Sequence, residues 1–385
     1  MTKPVRVPVK KEVWIWAIKE SQRDEEEIFV RFPKMNKWIS GEENPTFKQL
    51  EAVADYLKVP FGYMFLENPP KDDVMEIEFR SINNKLSKMS KNLKDTIMEM
   101  DRRRNWMSDY RKNLGWDKLE IIVKFNNSKS KGVLDNALLA KKLLNLEENW
   151  YETEKSFDDA YKFLRKKLEE VGILVMQSGV VGMNNYRRLD INEFRAFVLY
   201  DDVSPLIFIN NNDSKAGKIF SLVHEYIHVL FEQEDLFLDE DMDDRKGNEA
   251  YINDITAEFL MPKEHIYRLW NKDKEVREQI DELSKLFKVS RLALSIKLRN
   301  LSLIDSKTVE MIRDESIKDF EVRGKESEGG DFYKNFHAKI SPVFTEAVIR
   351  SADAGEISYT DAFRLLGGIK GSTYDNIKKD MMLHG

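Results

Sequence analysis

One short segment combines residue types that can bind a metal ion and use it. His224, Glu225 and His228 form a His-Glu-x-x-His motif with apolar neighbours. Residues four apart lie on one face of a helix, so both imidazoles can reach a single tetrahedral zinc ion. A glutamate beside the first ligand can take a proton from an activated water and pass it to a leaving amine. The motif predicts a hydrolytic zinc site with Glu225 as base; the alternative is two histidines that merely share a helix.

A zinc site with two histidines needs a third protein ligand. The chain has no cysteine, so a carboxylate or another histidine must provide it. On a predicted helix downstream, Glu249 is the favoured ligand and Glu258 is its rival; a Glu258 that is not a ligand would be an ordinary surface acid. Asn253 and Asp254, about one turn after Glu249, could hydrogen-bond a histidine ligand. The remaining candidates are His265, His337 and His384.

Composition limits the chemistry further. The chain has 385 residues, five histidines, no cysteine and a net charge of −6. The lack of thiols excludes disulfides, thiolate zinc sites, iron–sulfur clusters and cysteine nucleophiles. Charged residues at 34% and hydrophobic residues at 42% are typical of a soluble globular protein. We find no signal peptide and no membrane span, so we expect a cytoplasmic protein with no membrane partner.

Hydrophobic periodicity predicts a mostly helical α+β fold with one small sheet. The β-type runs cover 172–177, 195–200 and 206–210. Asp201-Asp202 and Ser204-Pro205 separate the last two runs, which indicates a hairpin. Thr46 and Gln49 have the spacing of a capping box at the start of a helix. Because an extended substrate can pair with a free strand edge, Leu206–Ile209 is either such an edge or an ordinary buried strand.

The residues around the motif resemble the ImmA/IrrE metallo-endopeptidases. The segments that carry the resemblance are 205–210, 220–230 and 249–262, the last with the pattern Glu-x-x-x-Asn-x-x-Ala-Glu-Phe-Leu-Met-Pro. The resemblance implies a zincin-like domain in which His224, His228 and Glu249 hold zinc and Glu225 is the base. It also implies a regulatory role, the cleavage or control of repressors of mobile elements and stress responses.

Residues 10–66 resemble an Xre-type helix-turn-helix domain. In such domains the helix before the glycine turn enters the major groove, so the predicted DNA-binding residues are Lys34, Asn36 and Lys37. Residues 1–70 contain 11 Lys and Arg against 11 Asp and Glu, and this net charge of zero provides little attraction for phosphates. The domain therefore either binds double-stranded DNA or has a helix-turn-helix fold that is used to contact a protein.

Three further segments have a distinctive composition. The stretch 80–118 is predicted to be helical with a net charge of +6, from 11 Lys and Arg against 5 Asp and Glu. It could assist DNA binding, form a solvated face, or dock the acidic loop at 232–244, which contains eight acids. That loop is either simply solvated or able to gate the cleft and attract a basic partner. A second helix-turn-helix-like run at 276–304 is expected to pack on the catalytic domain.

These features divide the chain into four predicted regions: a helix-turn-helix domain at 1–70, a partly basic helical connector at 71–165, a zincin-like domain at 166–305 and a helical region at 306–385. The first functional hypothesis is a zinc metallo-endopeptidase that cleaves a specific protein partner such as a repressor. The alternative is an antitoxin or transcriptional regulator that binds DNA and a toxin partner through a zinc domain that does not cleave.

Overall fold

The computed structural model describes residues 5–21, 25–57, 59, 61–69, 89–233, 242–323, 336 and 338–384. The chain divides into two compact units, Met1–Asp95 and Thr96–Gly385. The described residues are mostly helical and include one three-stranded sheet, which confirms the predicted α+β class. None of the described helices is both long enough and apolar enough to cross a membrane. The four predicted regions stay predictions.

The first unit is a small helical domain built around two tryptophans. Its helices are α1 (Lys11–Ser21), α2 (Glu25–Arg31), α3 (Met35–Ile39) and α4 (Phe47–Leu57), followed by a 3₁₀ helix at Phe61–Phe65. The rings of Trp14 and Trp38 stack in the core with centroids 6.3 Å apart. The predicted capping box is confirmed: Thr46 N–H donates to Gln49 Oε1 at 2.9 Å, and Gln49 N–H donates to Thr46 Oγ1 at 3.4 Å.

The second unit contains the sheet and the remaining helices. The helices before the sheet are α5 (Lys91–Asn113, which begins in the first unit), α6 (Glu120–Ser128), α7 (Val133–Leu143), α8 (Trp150–Thr153) and α9 (Phe157–Glu170). The strands are β1 (Leu174–Ser178), β2 (Ala196–Leu199) and β3 (Leu206–Asn210). The helices after the sheet are α10 (Lys215–Leu230), α11 (Met242–Leu260), α12 (Lys263–Leu269), α13 (Val276–Phe287), α14 (Arg291–Asn300), α15 (Ser306–Arg323), α16 (Pro342–Asp353), α17 (Tyr359–Leu365) and α18 (Gly371–His384).

The sheet has the order β1-β3-β2, with β3 in the middle. β3 pairs antiparallel with β2, which confirms the predicted hairpin, and parallel with β1. The proposal that Leu206–Ile209 is a substrate-binding edge is therefore wrong, because both sides of this strand are already paired. Its apolar residues instead form an ordinary buried strand, since every residue of β3 is buried.

Helix α10 forms because its sequence has both a start signal and an apolar body. Ser214 caps it, accepting a hydrogen bond from the Gly217 N–H at 3.0 Å. Apolar residues along its length are buried, and the helix packs on β2, β3, α9 and α11. The hydroxyl of buried Tyr226 donates to the Ala140 carbonyl on α7 at 3.0 Å, which satisfies its polar atom. The histidine motif is thus held rigidly in the core.

Several arginines of α5 are structural rather than free for an external partner. Arg103 Nε donates to the Leu365 carbonyl at 2.9 Å, and Arg104 donates to the Tyr200 carbonyl at 2.7 Å. Arg111, 2% exposed, donates to the Gly172 and Val203 carbonyls. Three of the eleven basic residues of the predicted segment 80–118 therefore bind backbone carbonyls in the second unit. Residues 80–88 of the predicted basic helix lie outside the described residues.

The second helix-turn-helix-like run, 276–304, forms α13 and α14 and packs as predicted. Ile280, Phe287, Leu294 and Leu298 are buried in the same hydrophobic cluster as the apolar residues of α10. These helices therefore belong to the core that supports the histidine motif.

Candidate metal centre

The candidate metal site lies between two neighbouring antiparallel helices. On α10 and α11 the ring centroids of Phe231 and Tyr251 are 6.0 Å apart, and those of Tyr226 and Phe259 are 6.4 Å apart. Contacting positions thus rise along one helix as they fall along the other. Near the start of the described part of α11, the side chain of Glu249 reaches His224 and His228 of α10.

The structure brings His224, His228 and Glu249 together. The two histidine Nε2 atoms are 3.0 Å apart, and each lies 3.5 Å from a carboxylate oxygen of Glu249. Ligands about 2.0–2.1 Å from a tetrahedral zinc would be about 3.3 Å from one another. The three donors therefore have the separations and the chemistry of a zinc ligand set, and within the described residues they form a group able to hold a metal ion.

The site is partly enclosed, and burial lowers the pKa of one candidate ligand, His228. His228 is 1% exposed, whereas the Glu249 side chain is 34% exposed. Burial, with a smaller contribution from His224, lowers the pKa of His228 to about 4 from 6.5, against the opposing effects of Glu249 and Gln233. The His228 imidazole is therefore neutral near pH 7, which is the form that binds a metal.

Two residues that support the histidines were missed by the sequence analysis. The side chain of Gln233 hydrogen-bonds His228, and its backbone N–H donates to the His228 carbonyl at 3.1 Å. The ring of Phe220 stacks on the imidazole of His224, with centroids 6.3 Å apart and ring planes 22° from parallel. Phe220 could have been found from its position one turn before His224, whereas no sequence signal identifies Gln233.

Glu225, the predicted base, is 3% exposed and lies on α10 directly after His224. Its position is compatible with the predicted catalytic role, which stays a prediction.

Glu258 is neither part of the donor group nor a surface acid. It is 4% exposed, forms an ion pair with Lys297 of α14, and accepts a hydrogen bond from the Lys263 N–H at 3.0 Å. Its carboxylate thus links α11 to α14 and to the start of α12. The prediction of a surface acid is wrong, and Glu258 is occupied away from the candidate metal site.

Asn253 and Asp254 are placed differently from the prediction. Both are exposed, and both line a cavity beside the metal site. The buried Nδ1 atom of His224 has no hydrogen-bond partner in the part of the chain that the structure describes. The expected contact from Asn253 or Asp254 to this histidine is therefore not made. Most of the predicted acidic loop, 234–241, lies outside the described residues.

In the first unit, the predicted DNA-binding lysines are paired with acids. Lys34 Nζ lies 2.9 Å from Glu43, and Lys37 Nζ lies 3.4 Å from Glu42. Arg6 contacts the same Glu43 carboxylate at 2.9 Å, and the hydrogen bonds from Lys34 and Arg6 lower the pKa of Glu43. Asn36 lies on α3 and is exposed. Both predicted DNA-binding lysines thus form surface ion pairs with acids of the same unit.

The helix with the His-Glu-x-x-His motif, the third donor on a following helix and the adjoining small sheet are consistent with a zincin-like domain. Residues 168–299 match the family model of Peptidase M78, the IrrE N-terminal-like domain. This match supports the resemblance found in the sequence for that part of the chain. Residues 340–379 match a domain of unknown function, DUF8813. No curated protein and no solved structure gives a significant match to the chain.

The low pKa of His228 predicts how the stability of the metal-free protein depends on pH. The unfolded chain takes up a proton on this histidine below about pH 6.5, whereas the folded chain does so only near pH 4. We therefore expect the contribution of His228 to be complete above pH 6.5 and to be lost as the pH falls toward 4. Urea unfolding of chelator-treated protein between pH 7.5 and 4.5 measures this loss. The His228→Gln variant should show a shallower dependence; an equal slope in both proteins would contradict the assignment.

Proposed function

We propose that this protein is a zinc-dependent metallo-endopeptidase of regulatory type, which cleaves a specific protein partner such as a repressor. One observation carries the proposal: three donors on two antiparallel helices lie 3.0–3.5 Å apart, the spacing of zinc ligands, beside a buried glutamate. The match to a peptidase family over the same part of the chain supports it.

The residues have separate roles in this proposal. His224, His228 and Glu249 hold the zinc ion, which when bound polarises a carbonyl and lowers the pKa of a water molecule. Glu225 takes the proton from the attacking water and delivers it to the nitrogen of the leaving amine. Gln233 and Phe220 fix the orientations of the two imidazoles, so that the donors need little rearrangement to bind the metal.

The sheet gives limited access to a substrate. β3 is paired on both sides, and in the two edge strands only Ala196 is not fully buried. Pairing of a long substrate strand along the sheet is therefore disfavoured, and a substrate would need other contacts near the metal ligands.

Metal analysis of the purified protein tests the proposal directly. We expect one zinc ion per chain in the wild type and its loss in His224→Ala, because two donors rarely hold zinc tightly in a protein. His265→Ala is a matched control, since His265 lies outside the donor group and contacts Tyr151. Full zinc retention by His224→Ala would show that the metal assignment is wrong.

A second candidate function concerns the first unit, which we suggest contacts a protein partner such as a toxin rather than an operator. Its predicted DNA-binding lysines are paired with Glu42 and Glu43. Aromatic side chains are exposed on the same unit: Phe47 at 46%, Tyr63 at 41% and Phe65 at 49%. Exposed aromatic groups favour contact with proteins, whereas paired lysines contribute little to phosphate binding.

An electrophoretic mobility shift with the protein's own promoter, across a salt series, distinguishes these roles. We expect no sequence-specific band at low salt. The Glu43→Gln variant, which releases Lys34 and Arg6 from their shared partner, shows how the assay responds to added positive charge. A wild-type band that survives competitor DNA and weakens steeply with salt would instead support the DNA-reading hypothesis.

A further inference from the structure

A cavity of about 420 Å³ opens beside the candidate metal site. Its walls come from α7, α10, α11 and α14 and from the residues that follow α11 and α14. The lining residues are Val133, Phe220, Asn253, Asp254, Ala257, Met261, Ala293, Ile296, Lys297, Asn300 and Leu301. Its volume lies in the range of cavities that bind small molecules or side chains.

The cavity begins one helical turn from two of the metal donors. Phe220 precedes His224 by four residues on α10, and Asn253 follows Glu249 by four residues on α11. Because the two helices are antiparallel, both steps run about 6 Å in the same direction along the helix pair. Phe220 is shared by the two sites, since it lines the cavity and also stacks on the His224 imidazole. The cavity therefore lies about one helical turn from the metal donors and shares the Phe220 ring with their site.

The chemistry of the walls is apolar, with polar groups at the rim. Seven of the eleven lining residues are apolar, including Phe220, Met261 and Leu301. Asn253 and Asp254 are exposed and lie at the opening. Lys297 carries the only basic group among the lining residues, and its ammonium is held by Glu258. The walls thus offer no unpaired positive charge to attract an acid, and the Asp254 carboxylate repels one.

We propose that this cavity is a specificity pocket, which receives a large apolar side chain of the polypeptide next to the bond that is cleaved. This inference rests on the proposed function, because it places the substrate beside the metal donors. Because the strand edges of the sheet are buried, a substrate cannot be positioned by a long run of backbone hydrogen bonds. An apolar side chain bound in the pocket would position it instead. The enzyme would accordingly prefer a leucine-, methionine- or phenylalanine-like residue at this position over a charged one.

Two zinc-binding probes separate the pocket from the metal. Acetohydroxamate and 5-phenylpentanohydroxamate have the same metal-binding group, but only the second has a long apolar tail. On the zinc-loaded protein, titration calorimetry should give at least about tenfold tighter binding of the phenyl compound. The variant Ala293→Phe, which fills the pocket, should reduce this difference to about twofold or less and leave acetohydroxamate binding unchanged. Ala257→Leu is a second filling variant, and Ala354→Phe, at an exposed alanine outside the pocket, is the matched control.

Each result decides a different question. Equal binding of both probes to the wild type would overturn the pocket but leave the metal site intact. A tail preference that survives both filling variants would place the tail elsewhere and would also overturn it. If neither probe binds although zinc is present, the metal has no open position, and the proposed function fails together with the pocket beside it. A preference lost only in the filling variants supports the proposal.

Discussion

Replacing Glu225 with glutamine is expected to leave zinc bound and to slow peptide-bond cleavage by about 10²–10⁴-fold, the usual contribution of a general acid–base group. Glutamine has nearly the same shape as glutamate but cannot take a proton from water. The three donors His224, His228 and Glu249 are unchanged, so metal content should equal that of the wild type. Mass spectrometry of a mixed peptide library, with zinc content measured in parallel, tests the prediction.

The control for this experiment is Glu264→Gln, which removes an exposed carboxylate on α12 outside the donor group. It should keep both zinc and cleavage. Full cleavage by Glu225→Gln would assign the base to another group. If the variant keeps its biological activity while cleavage is absent from the wild type as well, the non-cleaving regulator becomes the better description.

The second large effect concerns two glutamates of α11 whose roles the structure separates. Glu258→Gln is expected to lower the free energy of unfolding by about 3 kcal/mol and to leave zinc affinity unchanged, because breaking a buried ion pair leaves an uncompensated charge. In this variant Lys297 loses its ion-pair partner. Lys141, which is 3% exposed, loses the carboxylate that most strongly opposes the lowering of its pKa by burial. Burial already lowers the pKa of Lys141 to about 8.

Glu249→Gln should have the opposite pattern. Its side chain is one-third exposed, so the metal-free protein should lose less than about 1 kcal/mol, a typical value for partly solvated pairs. Zinc affinity should fall by more than about 100-fold, since the loss of groups that merely orient ligands already costs 10–100-fold. Urea unfolding of the metal-free variants and zinc titration measure the two quantities. Zinc loss in Glu258→Gln with retention in Glu249→Gln would reverse the assignment of the third ligand.

The sequence predicted those features that depend on residues close together in the chain. The spacing of His224 and His228 follows from the helical repeat, and the Thr46–Gln49 capping box spans a single turn. The β2–β3 hairpin also needs only a short connection. Each of these contacts is fixed by local geometry, so a pattern of neighbouring residues is enough to identify it.

The features that the sequence did not predict depend on distant partners. β3 becomes a central strand because β1, which precedes it by about 30 residues, pairs along its other side. Glu258 becomes buried because Lys297, 39 residues later, reaches it. The acceptors of Arg111 lie more than 60 residues away. A sequence pattern therefore predicts a solvent-exposed side chain for a charged helical residue. The backbone carbonyls or carboxylates that allow its burial lie far away in the chain and become known only from the structure.

The guanidinium groups that contact the C-terminal region also indicate which part of the chain must be kept for the second unit to fold. Arg103 on α5 donates to the Leu365 carbonyl, and Arg165 on α9 donates to the carbonyls of Ala338 and Ile340. Neither arginine belongs to the segment 168–299 that matches the peptidase family. Loss of the last fifty residues would remove these carbonyl acceptors from two buried guanidinium groups, so we expect the smallest unit that folds to extend on both sides of the segment 168–299.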